Sequence, residues 1–119
     1  MKPLTFERIV KEFKEKEDEL LRWKAGEYAS GADRLKNFRE VARLTGRKMS
    51  EVALMYLLKH IQSISQQVST GVYRWEWETG GKEGLKQRIA DAANYLHLLA
   101  ACLEEEAVYK SAAKKEKEG

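Results

Sequence analysis

The stretch RIADAANYLHLL, Arg88 to Leu99, combines a cation, a carboxylate and an amide with an apolar repeat. Ile89, Ala93, Leu96 and Leu99 recur at three- and four-residue steps, the spacing of a core-facing helical stripe. Arg88, Asp91 and Tyr95 form a second stripe beside it, with Asn94 adjacent. Two readings are open. One is a satisfied buried network, in which Arg88 and Asp91 pair at i, i+3 for a few tenths of a kcal/mol; the other is a polar site.

Lys59 and His60 interrupt the otherwise apolar run YLLKHIQSI. A buried lysine is costly unless it meets a carboxylate or a phosphate. If the helices carrying Lys59 and Asp91 are antiparallel neighbours, Lys59 reaches Asp91 or an anion held near it. Otherwise it snorkels to solvent. His60 and His97 are the two histidines, and neither has an i, i+4 histidine partner for a metal. The chain has no GxxxxGK[ST] loop, GxSxG elbow, HExxH or CxxC, which sets aside P-loop ATPase, serine hydrolase and zinc enzyme chemistry. Inward carboxylates on a helical bundle remain a route to magnesium and phosphate chemistry. Glu83, Asp91 and Glu51 are the acids on suitable segments. Glu83 and Asp91 are separated by roughly 12 Å along a helix axis, too far to chelate one ion without help.

These residues need a helical frame, and the 119-residue chain supplies one domain's worth of it. A first helix is predicted from a Thr5 cap to about Lys24, with Phe6, Ile9, Phe13 and Leu20 on one side. AGEYASGAD reads as a loop. A second helix runs from about Ala32 to Thr45 and stops at Gly46. Ser50 is the expected cap of a third, apolar nearly all round, with Glu51 complementing its dipole. A fourth extends from about Lys82 to at least Val108. Residues 1–4 and 110–119 are expected to fray. Residues 68–82 form an irregular insert, where Tyr73, Trp75 and Trp77 alternate with charged residues in an extended period of two. Those rings have three readings: packing on the bundle's own core, contact with another subunit, or stacking on a base. Gly71, Gly80 and Gly81 would hinge such a segment as a lid. The fold class is all-α, a four-helix bundle with a short extended aromatic insert.

The 22 basic and 19 acidic residues give a net charge of +3, interspersed along the chain, and do not trace a nucleic-acid footprint. Cys102 is the single cysteine, which excludes an internal disulfide and fits a reducing compartment. No apolar run approaches a membrane span and the N-terminus lacks a signal-like core, so a soluble cytoplasmic protein is expected. The apolar circumference of the third helix predicts a homo-oligomer, a dimer or larger.

Taken in order, GEYASGADRLKNF, LLKHIQSI, Glu83 and RIADAANYLHLL resemble small phage and prophage proteins related to the MazG-like all-α nucleoside triphosphate pyrophosphatases. Tyr28, Asp33, Asn37, Phe38, Lys59, Asp91, Asn94 and Tyr95 carry the likeness, which spans roughly Gly26 to Leu103. The resemblance implies hydrolysis of a (deoxy)nucleoside triphosphate to monophosphate and pyrophosphate, with magnesium, or manganese in its place. Asp91 would hold the metal with Glu83 or Glu51, and Asp91 and Lys59 would be catalytic. Lys59, His60, Arg88, Asn94, Tyr95, Tyr28, Asp33 and Asn37 would contact the nucleotide. Arg88 and Gln87 stand where that group carries acids, and Leu58 where some relatives have Asp. A depleted carboxylate set with cations retained is what a non-catalytic binder of a nucleotide or nucleotide-derived signal would show.

Overall fold

The computed structural model describes residues 1–28 and 34–118, without the side chains of 23–28, 117 and 118. Four helices follow one another: α1 (Pro3–Tyr28), α2 (Lys36–Thr45), α3 (Met49–Thr70) and α4 (Leu85–Glu118). Between α3 and α4, β1 (Glu78–Thr79) and β2 (Lys82–Glu83) form a two-stranded antiparallel hairpin. The mostly helical architecture agrees with the sequence reading.

Helix ends depart from expectation for local reasons. Pro3 suits the first turn of α1, where its missing N–H would have no intrahelical partner, and the backbone of Lys2 accepts from Thr5 and Phe6. Thr5 is therefore inside the helix, not its cap. Lys48, not Ser50, precedes α3, and Glu51 folds back to accept the Lys48 N–H at 3.1 Å. Gly46 and Gly71 close α2 and α3 in the left-handed conformation. Val68, Ser69 and Thr70 belong to α3, with Thr70 Oγ1 donating to the Gln66 carbonyl at 2.9 Å. The insert thus spans 71–84. At the other end α4 continues through the lysine- and glutamate-rich tail to Glu118, because those residues are good helix formers that need no burial.

The α3 and α4 helices are antiparallel along their length. Ser50 meets Glu106 at one end, and the His60 and Tyr95 rings lie 4.9 Å apart midway. Gln67 and Arg88 share a cleft at the other end. Phe38 of α2, Met49, Val52 and Ala53 of α3 and Cys102 of α4 form the core, flanked by Tyr56, Tyr95, Leu98 and Leu99. Ala53 and Ala90 have no exposed surface, which lets backbones approach closely. The α1 helix lies against α4, with Leu20 buried and the Glu17 carbonyl accepting from Asn94 Nδ2 at 2.9 Å.

The insert is bonded onto this frame. Gly80 and Gly81 both have positive φ, 58° and 77°, as a two-residue type I′ hairpin turn requires. Carbonyls of Trp77, Arg74 and Trp75 accept the N–H groups of Gly84, Leu85 and Lys86. These are amides at the start of α4 that the helix cannot satisfy itself. Trp77 packs on Phe13 at 4.9 Å and donates its indole N–H to Glu12 at 3.1 Å, while Trp75 and Tyr73 stay 44% and 49% exposed. Strict alternation places all three rings on one face; the chain bends at 76–77 and divides them.

Candidate functional site

The antiparallel α3–α4 pairing creates a seam that gathers part of the predicted set. Arg88, Asp91 and Tyr95 lie at successive turns on one side of α4. Asp91 is 2% exposed and Asn94 5%, so both are interior polar groups. Asn94 is pinned through Nδ2 to α1, and its buried Oδ1 has no hydrogen-bond partner. A buried amide oxygen left without a donor forfeits about 1–3 kcal/mol. One residue along, Tyr95 turns toward α3, where its ring meets His60, Tyr56 and Phe38 at 4.9, 6.1 and 6.3 Å. His60 is therefore half-buried within an aromatic cluster, held by α2, α3 and α4 together.

Other predicted residues lie elsewhere. Lys59 is exposed, and its ammonium sits 5.7 Å from the centre of the Tyr56 ring, so it snorkels over the cluster edge and does not enter the interior toward Asp91. Asn37 is exposed on α2. Asp33 and the side chain of Tyr28 lie outside the described residues.

The acids do not converge. Glu51 is spent at the α3 start, accepting from Lys48 and lying 3.8 Å from Arg47. With His60 opposite Tyr95, Asp91 stands level with Ile64, which leaves Glu51 roughly 20 Å away along α3. One ion cannot take both. Glu83 is exposed on β2 and accepts from Gln87 at 3.3 Å. Among the described residues no three His, Cys, Asp or Glu side chains come together as a metal-holding group. Glu51, Glu83 and Asp91 are thus not brought to one point.

The structure adds residues that sequence reasoning passed over. Below the seam, α3, the insert and α4 border an open cleft of about 500 Å³ lined by Gln67, Arg74, Lys82, Glu83 and Arg88. Arg74 and Lys82 sit in the insert, where a period of two drew attention to the aromatics; no sequence signal placed them beside Arg88. At the opposite end, Glu106 accepts from the Ser50 N–H at 2.9 Å and the Ser50 hydroxyl at 2.8 Å, a carboxylate seated on the N-terminus of α3. Cys102 has no exposed surface, and burial, with Glu106 and Glu105 nearby, pushes its thiol up to about 11. It is a packing residue, not a nucleophile.

No family model, curated protein or solved structure matches this chain. No helix among the described residues is long and apolar enough to cross a membrane.

Proposed function

We propose that this chain is a MazG-like nucleotide-binding protein that holds a nucleotide, or a nucleotide-derived signal, where α4 packs against α1 and α3, without hydrolysing it. The observation that carries the reading is Asn94, fixed by α1 and 5% exposed, with a buried carbonyl oxygen left to accept a hydrogen bond. An exocyclic amine of a base is a suitable donor. The His60–Tyr95 ring pair, one residue along, supplies aromatic rings of the kind bases stack on. Asp91 is buried on the same stretch of α4, and Arg88 stands two turns from Tyr95 on the same side.

The chain is further proposed to act as a homo-oligomer. Leu54, Leu58, Ile61 and Val68 expose 43–63% of their surface on the outer face of α3, and Leu96 and Leu103 about half of theirs on α4. A continuous apolar stripe of this kind marks an association surface, and a second copy of the same stripe is its simplest complement.

Calorimetric titration with nucleotides in EDTA, beside a pyrophosphate-release assay with magnesium or manganese, tests the reading. Metal-independent binding that weakens in Asn94→Ala and Tyr95→Ala, with no pyrophosphate released, supports it. Metal-dependent release of pyrophosphate that disappears in Asp91→Ala would make the chain a pyrophosphatase and overturn it.

A further inference from the structure

We propose that the cleft between the end of α3, the insert and the start of α4 seats a phosphate chain, the di- or triphosphate of a small molecule. The inference takes from the nucleotide reading only that the ligand carries phosphate. Three cations line the cleft against one carboxylate: Arg74, Lys82 and Arg88 with Glu83, joined by the Gln67 amide.

These cations differ from the charges that pair along single helices. Arg8–Glu12, Lys16–Glu19, Arg22–Asp18 and Arg47–Glu51 are pairs within one helix or at its end, three or four residues apart. Such pairs are the ordinary decoration of solvated helices. Arg74, Lys82 and Arg88 come from the insert, the hairpin and α4, so tertiary structure assembles them. Among the described residues, Arg88 is half-buried yet makes no side-chain hydrogen bond or ion pair, and Lys82 makes none either. Arg74 spends one Nη on the Thr79 carbonyl at 3.4 Å and keeps its other donors. The one acid, Glu83, already accepts from Gln87.

Like charges brought together repel, and the half-buried Arg88 guanidinium without an anion forgoes its strongest hydrogen bonds. An anion placed between them reverses both effects. The ligand class follows from number and shape. Two guanidinium groups and an ammonium offer donors for several oxyanion groups, and guanidinium matches phosphate in bidentate fashion. A cleft of about 500 Å³ lies within the size range of small-molecule sites, and each residue lining it is polar or charged. The seat is also preformed. The Gly80–Gly81 turn fixes Lys82, the Thr79 carbonyl holds Arg74, and Leu85 N–H ties the Arg74 backbone to α4 at 2.7 Å.

Inorganic tripolyphosphate is the probe, titrated calorimetrically into the full chain at low salt in EDTA. Wild type should bind it, with affinity falling as ionic strength rises. The double variant Arg74→Ala/Lys82→Ala, both at exposed positions, should bind at least about tenfold more weakly, while Tyr95→Ala is unchanged. Circular dichroism of the double variant establishes that it is folded. Tripolyphosphate that fails to bind wild type, or binds the double variant equally well, overturns the proposal. Tripolyphosphate binding without nucleotide binding supports the cleft and refutes the nucleotide reading. Nucleotide binding undiminished in the double variant refutes the cleft and leaves the nucleotide reading standing. A single-stranded oligonucleotide that binds far more tightly than tripolyphosphate at equal phosphate concentration would also overturn the assignment to a small molecule.

Discussion

Replacing Glu12 by alanine should release the insert from α1. One oxygen, Glu12 Oε1, accepts from Trp77 Nε1 at 3.1 Å and from Lys86 Nζ at 3.0 Å. Lys86 is the more buried partner, with 12% of its side chain exposed against 28% for Glu12. Hydrogen bonds to charged groups contribute about 1.5–3 kcal/mol each when sheltered. Lys86 keeps a longer contact to Glu76 at 3.7 Å and lies over the rings of Trp75 and Trp77. The loss should therefore be about 2 kcal/mol, which for a chain of this length lowers the melting temperature by roughly 8 °C. Thermal unfolding followed by circular dichroism and tryptophan emission measures both the shift and the freeing of Trp77. Glu12→Gln, which retains an acceptor but no charge, should fall between the two. The same bonds hold the Glu12 carboxyl below its ordinary 4.5, first through Lys86 and then Trp77. A depressed folded value means the contribution is fully present above pH 4.5 and is lost as pH falls through that lower value. The gap between wild type and Glu12→Ala should accordingly close in acid. A variant melting within about 2 °C of wild type at pH 7, with tryptophan emission unmoved, would refute the clamp.

Gly84→Ala should be among the most damaging single substitutions: the added methyl would fall 1.5 Å from the Glu76 carbonyl oxygen, against backbone, and a loss of about 3 kcal/mol is expected in urea unfolding. Glu106→Ala should cost about 1.5–3 kcal/mol through its sheltered bonds to Ser50. By contrast, Glu105→Ala should cost under about 1 kcal/mol, since the Arg39–Glu105 pair is 44% exposed on both sides; equal melting temperatures would contradict this ranking. Leu58→Glu should convert any oligomer into the 13.7 kDa species by light scattering, and wild type that already runs as that species would dispose of self-association.

Legibility in the sequence tracked how local each determinant was. Gly46 marks the end of α2 because a helix stop needs one residue in the left-handed region, which a single position reveals; Gly71, read as a hinge, closes α3 in the same way. The Arg88–Asp91–Tyr95 stripe is equally plain, since helical periodicity alone places it on one side of α4. Lys48 illustrates the first limit: the backbone and Glu51 supply the α3 start, freeing Ser50 to bond Glu106, 56 residues away. Trp77 illustrates the second. Its alternation with Trp75 predicts a shared face, yet Phe13 and Glu12 draw it inward across 64 and 65 positions. Arg74 and Lys82 were passed over for the same reason, since their proximity to Arg88 depends on how a hairpin docks.

The bonds between the insert and the start of α4 make two segments one cooperative unit. The opening amides of a helix usually exchange with solvent first, being without acceptors. Here Gly84, Leu85 and Lys86 donate to Trp77, Arg74 and Trp75, so their protection lasts only while the insert is seated. Excising the insert would not leave a trimmed bundle; it would strip the acceptors from α4 and let its first turn unravel. The same connection makes residues 84–86 reporters for a neighbouring segment. A ligand that steadies Arg74 or Lys82 should slow deuterium uptake at these amides, on a different element from the one it touches.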